Sequence, residues 1–479
     1  MNKKLIRYII GLLLCLEAAF LLPVLLTDLI YRENCTFSIL VTMGLCLAAG
    51  VPLVLMKPEN KVFSLREGYS TVALGWLIIS IFGTVPFVLS GAIPSVIDAF
   101  FETVSGFSTT GATILSDVDG MPHALNLWRC MSHWIGGMSV LVFLMAIIPM
   151  IGGSSMNLMK AESTGPSVVR IMPTAKKSAR WLYIMYISIT LMQILILLLT
   201  GMNVFDAITI TLSTAGTGGF AARTASCAAY TVLQQVIINI FMMIFSINFS
   251  AFFLIMQKKF REAFRIEEVR GYLLSYAAIT AIIAFTIKDR CDSILDAVQQ
   301  SAFQTASILT SSGFSTVDYG DWPMLACILL ILCMFVGSTS GSTGCGIKFC
   351  RILLLLKTIR RELLSYLYPN SVVQVRMDGK KVDDAVIRSV HVYIAAYIFI
   401  FFASLCIISL DSFDFLTSFT AITGSLSNIG PGFGLVGPTG NYSGFSVLSK
   451  AVLIFDMFAG RLEIFPVLMV LMPRTWKKF

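Results

Sequence analysis

"FETVSGFSTTGATILSD", residues 101–117, lies between two long apolar runs and carries seven hydroxyl-bearing residues and two glycines. Hydrocarbon penalises every unpaired backbone or side-chain polar group by several kcal/mol, so irregular polar chain persists at that depth only where it lines water. The stretch is therefore either an ordinary turn between helices or part of a polar pathway. The rest of the chain decides between the two.

Its flanks are membrane spans. Of 479 residues, 56% are hydrophobic and only 13% charged, against about 25% charged in a soluble domain. Apolar runs long enough to cross a bilayer recur at 5–30, 36–56, 69–91, 124–151, 181–201, 229–256, 271–288, 324–355, 387–409 and 447–472. The first opens "MNKKLIRYIIGLLLCLEAAF", which imitates a signal peptide, but its apolar run is too long and no small-residue cleavage site follows cleanly. Basic stretches at 57–66, 160–180, 258–270 and 357–388 each follow an even-numbered span, and both termini are basic. Ten spans with both ends cytoplasmic satisfy all of these at once. The net charge of +8 is mostly this bias and calls for no nucleic acid. Eleven cysteines fall mainly within apolar spans; neither they nor Cys35, Cys227 and Cys291 near the expected outer face suggest a disulfide framework or a metal site.

After spans three, five, seven and nine the chain makes an excursion too short to cross: "IDAFFETVSGFSTTGAT" (97–113), "FDAITITLSTAGTGGFA" (205–221), "LDAVQQSAFQTASILTSSGFS" (295–315) and "FDFLTSFTAITGSLSNIGPGFG" (413–434). Each starts with an apolar residue and an aspartate, Asp98, Asp206, Asp296 or Asp414, expected to cap a short helix. Hydroxyl residues then lead to a glycine, Gly111, Gly219, Gly313 or Gly430, 13, 13, 17 and 16 residues beyond the aspartate. One such loop reads as a turn. Four in the same phase of a two-span unit read as tandem architecture. Glycine suits loops that crowd one axis and aim their carbonyls at it, and rings of carbonyls replacing an ion's hydration shell are how potassium filters work. Each short helix would point its negative carbonyl end at the cavity below, favouring a cation.

With "TTGAT", "GTGGF", "SSGF", "SNIGPG", "HWIGGM" (133–138), "GSTSGSTGCGIKFCRILLLLK" (337–357) and "GRLEIFP" (460–466), the chain resembles the Trk/Ktr/HKT superfamily of potassium transporters, and within it the bacterial TrkH type, over nearly its whole length. The resemblance implies an all-α membrane protein of about ten transmembrane helices plus four re-entrant pore helices, in four tandem repeats around one pore with pseudo-fourfold arrangement. It divides the chain into a two-helix extension (1–68) and repeats at 69–152, 153–257, 258–357 and 358–479, with pore loops at 95–115, 203–221, 293–316 and 411–434. The extension is similar to that of TrkH and unlike the shorter KtrB form. A potassium filter would comprise Thr109, Thr110 and Gly111; Thr217, Gly218 and Gly219; Ser311, Ser312 and Gly313; and Asn428, Ile429 and Gly430. Plant relatives that transport sodium carry serine at the first glycine; Gly111 favours potassium. One essential glycine per loop implies a shorter stack of carbonyl sites than in classical potassium channels, with weaker discrimination against sodium. The four loops differ in their flanking residues, so the sites are not expected to be equal.

Residues 337–346 hold four glycines, Gly337, Gly341, Gly344 and Gly346, inside the eighth span. Glycine costs a helix interior about 1 kcal/mol, and the intervening Ser and Thr offer the backbone other bonds, so the helix is expected to unwind. A phosphate-binding loop fails because Ile347 separates Gly346 from Lys348 and no Ser or Thr follows; a small-residue helix interface is the other reading. The resemblance implies a gate loop obstructing the pore, with Arg461 reaching beneath it and Lys348 adding to the barrier. Arg461 sits near the middle of the last span, where a charge needs water or a partner; Asp456 or Glu463 would be the simple partner. Glu102 is read as a brace behind the first loop, Arg129 and His133 as a polar helix end near the outer interface or a proton-responsive pair, and Asp318 and Asp321 as cation-concentrating or merely solvated.

These readings give gated potassium uptake across a prokaryotic inner membrane, with K+ as the transported ion and no organic cofactor in the chain. The alternative is a sodium- or proton-coupled symporter with alternating access, which usually shows two inverted repeats. Enzymatic motifs are absent from the sequence. The basic stretch 357–386 holds a β-like segment, "SVVQVRMDGKKV", suited to a hairpin against a partner. The resemblance implies a homodimer docked on a cytosolic nucleotide-binding ring of the TrkA type.

Overall fold

The computed structural model describes residues 2–58, 65–138, 175–371 and 373–476. The second half of the 124–151 span and most of the basic loop at 160–180 lie outside them. The described chain is helical: α1 (Lys3–Tyr31), α2 (Thr36–Leu55), α3 (Leu65–Ser90), α4 (Val96–Phe107), α5 (His123–Gly137), α6 (Ala175–Leu199), α7 (Val204–Gly216), α8 (Val232–Ser246), α9 (Phe249–Met256), α10 (Phe260–Ala263), α11 (Glu267–Ile287), α12 (Ile294–Leu309), α13 (Met324–Val336), α14 (Phe349–Leu367), α15 (Asp384–Ile408), α16 (Phe415–Leu426), α17 (Val447–Arg461) and α18 (Phe465–Leu471). A two-stranded hairpin, β1 (Arg376–Met377) and β2 (Lys380–Lys381), stands between α14 and α15. Asp378 and Gly379 turn it with φ of 50° and 76°, the primed-turn geometry that Asp-Gly favours.

Six described helices, α1, α2, α3, α6, α11 and α15, are long and apolar enough to cross a membrane; α8 and α9 together make a seventh, bent by 96°. The expected spans 324–355 and 447–472 are each divided in two, at the glycine-rich loop and at Leu462–Ile464. Large apolar side chains such as Leu55, Leu199, Phe285 and Phe399 stand exposed on the outside, which in a membrane is the lipid-facing surface.

Helices α4, α7, α12 and α16 have 12, 13, 16 and 12 residues. At 1.5 Å per residue they reach about 18–24 Å, short of the roughly 30 Å hydrocarbon layer. Each packs between the helices that precede and follow it in the chain. Each also packs on a helix of another unit: α7 on α5, α12 on α8, α16 on α13 and α4 on α17, a cycle that closes on itself.

The expected aspartate caps need correction. Asp414 does cap α16, accepting from the Thr417 N–H at 3.0 Å. The other three helices start three residues earlier, where Ser95, Asn203 and Ser293 take the cap. A small polar residue was available upstream in each, and Asp98, Asp206 and Asp296 fall into the first turn, where a negative charge still suits the dipole.

Candidate functional site

All four short helices end in one way. The N–H of a residue with positive φ bonds the carbonyl three back, and the next N–H bonds the carbonyl five back: Thr110 to Ser105 at 2.9 Å, Gly218 to Ser213 at 3.0 Å, Ser312 to Ser307 at 2.8 Å and Ile429 to Gly424 at 2.8 Å. This is the Schellman arrangement, usually reserved for glycine at the left-handed position. Here Thr109, Thr217, Ser311 and Asn428 occupy it, with φ between 52° and 57°. Two residues on, Gly111, Gly219, Gly313 and Gly430 again have positive φ, 74° to 89°. Alternating the sign of φ turns successive carbonyls toward one side of the chain, as a cation-coordinating backbone requires.

The loops touch head to tail. A Cβ on Gly111 would lie 1.9 Å from the Gly218 carbonyl oxygen, on Gly219 2.2 Å from that of Ser312, on Gly313 2.0 Å from that of Ile429, and on Gly430 2.6 Å from that of Thr110. The contact returns to its start after four steps. All twelve residues predicted from the sequence are in these loops; the eight that precede the ring glycines are buried, as are Gly313 and Gly430, while Gly111 and Gly219 are partly exposed. The fourth loop is distinct, because the Gly430 carbonyl accepts the Tyr442 hydroxyl at 2.6 Å.

Behind the first loop, Glu102 accepts from Arg129 Nε at 2.8 Å, the Thr113 hydroxyl at 3.0 Å and the Ile114 N–H at 3.0 Å. Arg129 and His133 are not at an interfacial helix end. They are 2% and 0% exposed, because α5 starts at His123 and both side chains lie further along it, facing the loops. The Arg129 guanidinium lies 4.0 Å from the Phe220 ring centroid; His133 stacks on the same ring, and its Nδ1 lies 2.8 Å from Ser213 Oγ.

Beneath the ring, residues 337–348 unwind between α13 and α14. Gly337, Gly341, Gly346 and Lys348 have positive φ. Gly337 and Gly346 face each other so closely that a Cβ on either would be 2.7 Å from the other's Cα, so the small residues pack the loop against itself. Lys348 Nζ donates to Ser338 Oγ at 3.2 Å, to the Thr339 carbonyl at 3.3 Å and to that of Gly344. The loop turns acceptors inward, the opposite of a phosphate cradle. It is fastened above through Ser311 Oγ, which accepts from the Cys345 N–H at 2.8 Å. Beside it, the break in α8–α9 leaves the Ser246 carbonyl to accept the Thr339 hydroxyl at 2.8 Å, while the Phe249 N–H donates to Gly341 O at 3.2 Å.

Arg461 joins loop and ring. Its Nη1 donates to Thr109 Oγ1 at 3.0 Å, the Thr343 carbonyl at 2.9 Å and Cys345 Sγ at 2.9 Å, and its Nη2 to the Gly136 carbonyl. The simpler carboxylate partners are engaged elsewhere: Glu463 pairs with Arg351, and Asp456 accepts from Ser404 at 2.8 Å.

Above the ring a cavity of about 100 Å³ is lined by Gly111, Gly219, Gly313, Pro431, Thr439 and Arg223. Asp318 meets its rim through the Thr439 hydroxyl at 3.3 Å, whereas the Asp321 backbone carbonyl accepts from Arg290. Nearby, burial pushes the Asp119 carboxyl up, but the Thr224 hydroxyl and N–H and the Arg223 guanidinium outweigh it and hold it below the usual range. Tyr442 and Asn248 escaped the sequence reading. Asn248 caps α9, its side chain accepting the Ser250 N–H at 2.8 Å, but a lone asparagine in an apolar run does not announce a helix break; Tyr442 gave no local signal.

A helical membrane architecture with a backbone-lined constriction narrows the class, and residues 37–478 match the sequence profile of a family described as a cation transport protein. That family is TrkH, and the chain belongs to it. It is 31% identical to the Trk system potassium uptake protein TrkH of Halomonas elongata and 33% to that of Salmonella typhimurium, with 100% of both chains covered in each case. The crystal structure of the potassium transporter TrkH from Vibrio parahaemolyticus is similar at 30% identity and a TM-score of 0.88, again covering 100% of each chain.

Proposed function

We propose that this chain is a potassium uptake pathway in which K+ crosses through a single filter formed by the four loops at Gly111, Gly219, Gly313 and Gly430. The observation that carries the reading is the closed head-to-tail contact of the four glycines with their neighbours' carbonyls. In this reading each short helix is a re-entrant pore helix, the four units form a pseudo-fourfold array, and potassium sheds water onto backbone carbonyls. Residues 337–346 are the gate. Arg461 and Lys348 hold positive charge under the filter, so a cation can pass only when the loop and Arg461 leave the axis. The chain acts in a prokaryotic inner membrane with both termini cytoplasmic, as a homodimer under a cytosolic nucleotide-binding ring of the TrkA type. Against the alternative coupled symporter, the four short helices pack in one closed cycle that treats each unit alike, which favours four like units over two inverted halves.

The test is growth of a potassium-uptake-deficient bacterium on low potassium, with rubidium and sodium tracer uptake, for the native chain and Gly111→Ser. Serine's Cβ would strike the Gly218 carbonyl, so the expected result is rescue by the native chain and reduced rubidium-over-sodium preference in the variant. Uptake that demands a proton or sodium gradient, with selectivity unchanged in the variant, overturns the filter.

A further inference from the structure

Helix α11 begins with two acidic residues that face opposite ways. Glu267 is half-buried at the cytosolic side of the expected topology and forms an ion pair with Lys357 of α14. Its N–H, one of the orphan donors of the first helical turn, donates to Asp378 Oδ1 at 2.7 Å, at the tip of the β1–β2 hairpin. Lys357 also donates to the Arg376 carbonyl of the same hairpin at 2.7 Å. The hairpin, the start of α11 and α14 are thus one knot.

Glu268, only 3% exposed, points the other way. Its two carboxylate oxygens accept the Ser340 N–H and the Ser340 hydroxyl, both at 2.6 Å, in the middle of the glycine-rich loop. One turn further, on the same face of α11, the Tyr272 hydroxyl donates to Ser246 Oγ at 3.0 Å, at the break in α8–α9, and lies 3.4 Å from the Leu309 carbonyl in the last turn of α12. A buried carboxylate that accepts from one residue of an irregular loop through both oxygens fixes that loop more firmly than neutral bonds would. Ser340 offers two donors in the fork that a carboxylate accepts.

We propose that Glu268 is a positioning residue through which the cytosolic hairpin holds the glycine-rich loop closed. A load on the Asp378 tip moves the α11 start, and the rigid first turn passes that movement to Ser340. This gives the hairpin a regulatory function: it is the surface on which a cytosolic partner would act to free the loop. The inference rests on the gate reading of residues 337–346.

The experiment measures rubidium and sodium flux into proteoliposomes containing the full-length chain and the variants Glu268→Gln, Ser340→Ala, Asp378→Ala and Arg461→Ala. Arg461→Ala tests the gate itself: if it leaves flux unchanged, the gate reading fails before the linkage is reached. If Arg461→Ala raises flux, Glu268→Gln and Ser340→Ala are each expected to raise basal rubidium flux by roughly 5-fold or more, the ordinary size of an allosteric coupling. Asp378→Ala should raise it in the same direction. The rubidium-to-sodium ratio should stay that of the native chain, and Glu268→Asp should restore part of the closure. Glu268→Gln combined with Asp378→Ala should add little to Glu268→Gln alone. Flux unchanged in a folded, monodisperse Glu268→Gln protein overturns the proposal. So does a shifted ion ratio, which would put Glu268 in the filter, or a fully additive double variant, which would separate the hairpin from the loop. Should Glu268→Gln not fold, Ser340→Ala with Asp378→Ala carries the same comparison.

Discussion

Arg129 puts a guanidinium into the protein interior, and a single carboxylate, Glu102, answers it at 2.8 Å with both side chains almost fully buried. Replacing an isolated buried partner strands the other charge and typically costs about 3–5 kcal/mol. Glu102→Gln is therefore expected to lower the unfolding midpoint in detergent sharply, and Glu102→Gln combined with Arg129→Met to recover most of the loss; a double variant no more stable than the single one would show that the pair does more than neutralise itself. The sequence made Glu102 legible as a brace, since a carboxylate inside a short apolar helix needs a partner. It did not make Arg129 legible, because an arginine near a helix start reads equally well as interfacial. The glycines of the ring were visible for their spacing, but the left-handed backbone at Thr109, Thr217, Ser311 and Asn428 was not. Asparagine tolerates that region, but threonine and serine have no propensity sufficient to announce it; the shared helix-end hydrogen bonds and the crowding of four loops impose it.

Helix existence was legible from apolar runs, and helix breaks were legible only where the chemistry is local. The four glycines in 337–346 announced the first break. The 96° bend between α8 and α9 contains neither glycine nor proline at Ile247 and Asn248; it exists because the glycine-rich loop supplies partners for Ser246 and Phe249 that the helix gives up. The break after Arg461 places Glu463 and Ile464 at φ of 62° and 64°, ahead of Pro466 in the first turn of α18, a position proline favours. The caps test the same distinction between local and remote control. Ser293→Ala removes the side chain that accepts the Asp296 N–H at 3.1 Å and is expected to cost about 1 kcal/mol of stability. Asp296→Asn keeps the cap, removes the first-turn charge and should cost about 0.3–1 kcal/mol. Thermal unfolding of the two variants decides; a larger loss in Asp296→Asn would return the capping role to the aspartate.

At the scale of the molecule, the claim that matters is direction. Four units that run the same way put every loop after a short helix on one face of the membrane, whereas two inverted halves put the first and fourth on opposite faces. The packing cycle α4–α17, α7–α5, α12–α8, α16–α13 treats the units alike, and the basic residues of the even-numbered connections argue for a cytosolic hairpin. Cysteine placed at Ser116, at Ser443 and at Lys380 tests this directly, since all three positions are exposed and lie after α4, after α16 and between α14 and α15. The background is low once the exposed Cys406 and the partly exposed Cys15 and Cys291 are replaced by serine, because the other eight cysteines are buried. In intact cells a membrane-impermeant maleimide should label Ser116→Cys and Ser443→Cys and leave Lys380→Cys untouched until the membrane is opened. Labelling of only one of the first two would mean that the halves are inverted; the ring of glycines could then not be a filter entered from one side, and alternating access would become the better account of how this chain moves its ion.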